Sequence, residues 1–302
     1  MKPIESVIRK QKFYDRAFSL VSLLALAGAL LILMVLIGDI IGRGVPRLSW
    51  EFMTNFPSRF AERAGILSAW VGSLLVMFVT ALCAIPLGIA AGLYLEEYAP
   101  KNRLTTLIEI NISNLAGVPS IIFGLLALGL FVYKMSLGQS VLTAGLTLGL
   151  LVLPIIIVTT REAIRAIPLH IREAAFGVGA TKWQVVRDHV LPYSTGGILT
   201  GVIIALSRAI GETAPLITVG ALTFIAFLPT PPISVEAPYV SMKWIMDPFT
   251  VMPIQMFNWV SRPQEEFHVN AAAAGVVLLA ITLSLNAVAI FVRLRFRKRI
   301  KW

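Results

Sequence analysis

The chain has 302 residues, of which 57% are hydrophobic and only 14% charged, against roughly 25% charge in soluble domains. That balance excludes an ordinary water-soluble globule and makes lipid the expected solvent. The net charge of +10 does not point to nucleic acid, because Lys and Arg gather at the termini and between apolar runs, as they do beside membrane helices.

Residues 1–16 carry Lys2, Arg9, Lys10, Lys12 and Arg16 and read as a basic segment on the inner leaflet. The first span is expected at 17–41 and is retained, since its apolar stretch is long and no small-residue cleavage site follows. Further spans are expected at 66–95, 104–133, 136–160, 193–213 and 269–292, so the fold class is an all-α membrane protein with a six-helix bundle. The membrane-embedded body is 17–293, followed by a basic tail at 294–302. With the N-terminus inside, eighteen of the 26 Lys and Arg residues fall on the inner side and seven in the opposite loops, which places both termini in the cytoplasm.

Two apolar runs are too long for one straight helix. Leu104–Tyr133 would reach about 45 Å and contains Gly117-Val118-Pro119-Ser120, where proline removes a backbone donor. Tyr193–Leu228 would reach about 54 Å, and its natural break is Thr213-Ala214-Pro215. A kink or restart is expected at both. The segment 229–268, with seven prolines and the aromatics Tyr239, Trp244, Phe249, Phe257, Trp259 and Phe267, reads as an outer loop of interfacial character.

Cys83 has no partner cysteine, and His170, His189 and His268 lack the spacing of a helical metal site. No metal or cofactor is expected. The sequence holds no GxxxxGK[ST] phosphate loop, HExxH or GxSxG, so neither ATP hydrolysis nor another enzyme activity is expected on this chain.

The loop 161–193 contains REAAFGVGATKWQVVRDHVLP, from Arg172 to Pro192. It reads as helix, turn, helix: Glu173-Ala174-Ala175 favours helix, Gly177 and Gly179 interrupt it, and Pro192 opens the next span. By pattern alone this fits any amphipathic loop lying on a bilayer. The order of Glu173-Ala174-Ala175, Gly179 and Leu191-Pro192, however, resembles the EAA loop of ABC importer permeases. His189 departs from it, the family having an aliphatic residue there. The resemblance implies a bundle of the type I importer permease kind, with Glu173, Ala174, Ala175 and Gly179 in a cytoplasmic coupling helix that docks on a separate ATPase.

In SRAIGETAPLI, Arg208 and Glu212 stand four apart inside an apolar run, and intramembrane charges are functional candidates by default. On a helical wheel they share the face of Gly197, Gly201, Ala205 and Ala209, a small-residue ridge that should face the bundle or a subunit interface. The plainer alternatives are mutual neutralisation or an arginine reaching for the interface. Ser120, where a helix restarts after Pro119, is a second candidate anion contact. TTREAIRAIP (159–168), the coupling loop and SRAIGETAP together resemble the PstA-type permeases of phosphate ABC importers from about Ala64 onward. The resemblance implies that Arg208 and Glu212 act in translocation. It also implies as partners a PstC-like second permease subunit, an ATPase dimer and an external phosphate-binding protein, and a place in the bacterial inner membrane. Alternative readings are the sister PstC-type permease, a permease for molybdate or sulfate, and, from another class, a secondary transporter, although no inverted repeat is evident.

Overall fold

The computed structural model describes residues 4–231, 239 and 241–297. Its long helices are α1 (Ile4–Gly44), α3 (Leu67–Leu93), α6 (Val141–Arg165), α9 (Leu191–Gly211) and α12 (Glu265–Arg297). Between them lie α2 (Trp50–Thr54), α4 (Arg103–Leu115), α5 (Ser120–Ala127), α7 (Leu169–Gly177), α8 (Lys182–Val185), α10 (Ala214–Thr218) and α11 (Met252–Val260). Five helices are long and apolar enough to cross a membrane, and the pair α4 and α5, bent by 108°, makes a sixth if counted as one broken span. The bend falls at 116–119, where Pro119 caps α5 without supplying a backbone donor.

The centre of the bundle is α6, packed between α3 and α9. Small residues let these backbones approach: Gly88 of α3 faces Ile156, and Gly201 of α9 faces Thr159. Thr80 of α3 donates to Val76 O of its own helix at 2.9 Å and to Gly145 O of α6 at 3.2 Å. Around this contact Val76, Ala144, Leu148, Val152, Ile156 and Ala205 are buried. α1 packs mainly on α12, and its side chains from Phe18 to Leu36 are largely exposed, as a lipid-facing helix requires.

Three expectations are corrected. The described part of the basic N-terminal segment does not lie apart on a surface, because α1 runs unbroken from Ile4 through residue 16 to Gly44. Pro192 does not open a span, because Lys182–Gly211 is one continuous helix. A wider π turn at Val186–Val190 absorbs the missing proline donor. The described part of 229–268 packs into the bundle. Trp244, Phe249, Trp259 and Phe267 are buried, while Tyr239 and Phe257 are exposed. Asp247 holds the backbone N and Oγ1 of Thr230 at 2.6 and 2.7 Å, and Ser73 Oγ of α3 accepts from Met252 N at 2.9 Å. Residues 1–3, 232–238, 240 and 298–302 of these segments lie outside the described residues. The expected restart near Thr213–Pro215 is present: α9 ends at Gly211 and α10 begins at Ala214.

A Cβ on Gly145 would overlap Val79, whereas one on Gly149 would sit 4.0 Å from Ala84 Cβ. Gly145→Val should therefore destabilise the bundle by about 1–3 kcal/mol through overpacking. Gly149→Ala should be neutral or slightly stabilising through helix propensity. Thermal unfolding of the two variants in detergent checks the contrast.

Candidate functional site

The loop between α6 and α9 is a compact helical hairpin. α7 ends at Gly177, and Gly179 has φ +88° with nothing within 4 Å of its missing Cβ. Glycine is required there by backbone conformation and not by crowding. Thr181 then starts α8 with a reciprocal capping box: its Oγ1 accepts from Gln184 N, and its own N donates to Gln184 Oε1. Ala175 is buried against Ile164, Ile167, Val185 and Val190, which fixes the hairpin on the end of the bundle. Glu173 and Ala174 face outward, as do Leu169, Phe176, Val178 (87% exposed) and Trp183. So much apolar surface at the tip of a charged loop marks a contact face.

Under this hairpin lies an ionic cluster. α3 finishes in a π-helical turn, Tyr94–Tyr98, whose Glu96 accepts from Arg165 Nε at 2.9 Å on both oxygens and from Arg161 Nε at 3.4 Å. Arg161, 5% exposed, also places Nη2 2.7 Å from Glu109 of α4, an ion pair without an aligned hydrogen bond. Glu97 accepts from Arg172 of α7 at 2.9 and 3.1 Å. Arg172 further donates to the carbonyls of Ile164 and Ile167 at 3.0 and 2.9 Å, closing the C-terminal end of α6. Lys182 of α8 lies 4.9 Å from the Tyr98 ring centroid.

Sequence reasoning missed these residues. Arg161, Arg165 and Arg172 entered it only as charges marking the inner side. The available signal was complementarity: Glu96-Glu97 at the end of one span, and arginines spaced by four, Arg161 and Arg165, at the end of another.

The expected pathway residues are brought together in part. Arg208 Nε lies 3.2 Å from Glu212 Oε1. Glu212 is already past the helix, in extended backbone with ψ 130°, so the pair closes across a helix end and not along a helical face. The ridge is used within this chain: Gly197 faces Ala163, Gly201 faces Thr159, and Ala205 and Ala209 are buried. Arg208 stands at the ridge's edge with 39% of its side chain exposed, against 18% for Glu212. Its place in the last turn of α9 lets the helix dipole favour the cation. Beside it Ser207 Oγ lies 2.7 Å from Asn286 Oδ1 of α12. Ser120 is half-buried in the first turn of α5. α5 packs on α10, where Gly124 meets Pro215 and Thr218. Among the described residues no hydrogen bond or ion pair joins Ser120 to Arg208 or Glu212.

Residues 84–302 match the family model of the binding-protein-dependent transport system inner membrane component. The chain is 31% identical over 261 residues to the probable ABC transporter permease protein YqgI of Bacillus subtilis (strain 168), covering 85% of this chain and 87% of that relative. It is 30% identical over 256 residues to the phosphate transport system permease protein PstA of Xylella fastidiosa (strain Temecula1), covering 84% of each. Among solved structures it resembles a chain of a bacterial ABC transporter involved in the import of the acidic polysaccharide alginate. There the TM-score is 0.63 at 16% identity, over 95% of this chain and 99% of that one, a likeness of fold alone.

Arg172 holds α7 through three partners, so Arg172→Ala should loosen the hairpin first. Loss of hydrogen bonds to a charged group costs about 1.5–3 kcal/mol. Amides of residues 169–177 should then exchange roughly ten to a hundred times faster, which hydrogen–deuterium exchange measures directly.

Proposed function

We propose that this chain, which belongs to the binding-protein-dependent transport system inner membrane component family and is a PstA-type permease subunit of an ABC importer, carries inorganic phosphate across the bacterial inner membrane. The observation that carries the reading is Arg208: a guanidinium at the end of a membrane helix, open on the side this chain leaves uncovered. Its planar fork suits the oxygens of a tetrahedral oxyanion. Glu212 restrains it when the path is empty and is the group that accepts a proton from a protonated phosphate. Ser120 adds a hydroxyl and the free N–H groups of a restarting helix. Because this chain leaves part of Arg208 uncovered, a second, PstC-like permease completes the path, and an external phosphate-binding protein delivers the anion.

Energy enters through the α7–α8 hairpin. Leu169, Phe176, Val178 and Trp183 offer apolar anchors to a groove on an ATPase subunit, each worth about 1.5–3 kcal/mol if fully buried. Glu173, Ala174 and Ala175 belong to the docking helix. Gly179 supplies the turn that keeps the hairpin short enough to move as a rigid body. A dimer of ATPase subunits hydrolyses ATP, and the hairpin and both termini face the cytoplasm, in keeping with the excess of Lys and Arg on that side.

Radiolabelled phosphate uptake into vesicles holding the full complex tests this reading. Uptake should require ATP and the ATPase and should resist excess sulfate and molybdate. Competition by either oxyanion would reassign the substrate, and uptake without the ATPase would favour a secondary transporter. Arg208→Gln should abolish uptake while the ATPase still copurifies, and normal uptake by that variant would remove the site. Glu173→Lys and Gly179→Leu should leave the bundle folded but uncouple hydrolysis from uptake, the second because φ +88° is strained for any L side chain.

A further inference from the structure

The arginine and carboxylate contacts beneath the hairpin form a connected series with two ends. One end is Arg172 on α7, bound to Glu97. The other is Glu109 on α4, bound to Arg161. Between them Glu96, adjacent to Glu97 in the chain, holds Arg161 and Arg165. The last turn of α3 therefore grips the coupling hairpin with one residue and reaches α4 through the next.

α4 is held lightly by the rest of this chain. None of its residues is buried within this chain, and it ends at the 108° bend. Beyond the bend α5 is fixed: Phe123, Gly124 and Ala127 are buried, with Gly124 seated on α10. α4 is thus an arm that leaves the bend at 116–119, lies along α6 with Thr105, Glu109 and Ile112 half-buried, and carries near its middle one carboxylate paired with Arg161. That fastening is separable. Arg161 keeps Glu96 when Glu109 leaves, so no buried cation is stranded. Glu109, whose side chain is already 30% exposed, regains water.

We propose that Glu97, Glu96 and Arg161 are positioning residues that pass the movement of the coupling hairpin to α4, making α4 the moving gate at the ATPase end of this chain. The proposal rests on the docking role given to the hairpin above, and it names the route by which that docking reaches the pathway: the end of α3, and not only the covalent link into α9.

The test uses the full complex carrying Cys83→Ala, with spin labels at Ile110→Cys on α4 and Leu87→Cys on α3, both exposed positions. The label separation should change between the nucleotide-free state and a state trapped with ATP. Glu97→Gln should at least halve that change and lower uptake about tenfold, while ATP hydrolysis and copurification of the ATPase stay within about twofold. Glu97→Asp, which keeps the carboxylate and leaves Arg172 on its two carbonyls, should recover most of the movement, which a merely structural defect would not. Full-sized movement in Glu97→Gln, or no recovery in Glu97→Asp, overturns the proposal. Glu109→Gln is the second variant, free of any effect on the hairpin's own anchor: it should abolish the ATP-driven change, and an unaltered change refutes the relay. Wild-type uptake with α4 stationary refutes the relay and leaves the phosphate reading intact. ATP-driven movement without phosphate uptake refutes the substrate and leaves the relay standing.

Discussion

The pairing of three arginines with three glutamates where α3, α4 and α6 meet is the constraint on which the coupling end of the molecule depends. Arg165 and Glu109 are partly open to water, whereas Arg161 and Arg172 are largely covered, and there an unpaired ion would be costly. Each therefore dictates the position of its neighbour. Arg172 is the most constrained, since it satisfies a carboxylate and two carbonyls at the end of α6 at once. The hairpin that follows inherits this anchoring, which is what the docking role proposed for its exposed tip requires.

The remainder of the bundle is organised so that little else at that end has to be held by polar contacts. α3, α6 and α9 interlock through glycines facing Ile156, Val79 and Thr159, a close approach that favours dispersion contacts where lipid removes much of the hydrophobic drive. At the far end the returning segment is tied down by Asp247, Ser73 and the carbonyl of Ile225, which accepts from Ser68 Oγ at 3.0 Å. One end of the protein is thus a plug packed on the core, and the other a hinged arm and a docking hairpin. This asymmetry suits a permease driven from one side.

Arg208 and Glu212 occupy a different kind of place. The ridge beside them is consumed by packing within the chain, yet the guanidinium is left open. An intramembrane arginine left 39% exposed is costly toward lipid, which is the physical ground for the second permease proposed above. This chain therefore carries its charged side chains in two separate sets: one beneath the hairpin at the end of α3, and one at the end of α9.

Much of this was legible one-dimensionally. Hydropathy runs located the spans, Gly117–Ser120 and Thr213–Pro215 marked the breaks, and Gly177 with Gly179 marked the turn of the hairpin, because each depends on local backbone chemistry. Tertiary structure alone decided that Arg161 belongs to Glu96 and Glu109, residues 65 and 52 positions away, that Trp244 and Trp259 go inward instead of to the interface, and that Arg208 stands beside its ridge and not on it. Those outcomes turn on which side chains share a low-dielectric space once the helices have packed, and no periodicity along the chain encodes that choice.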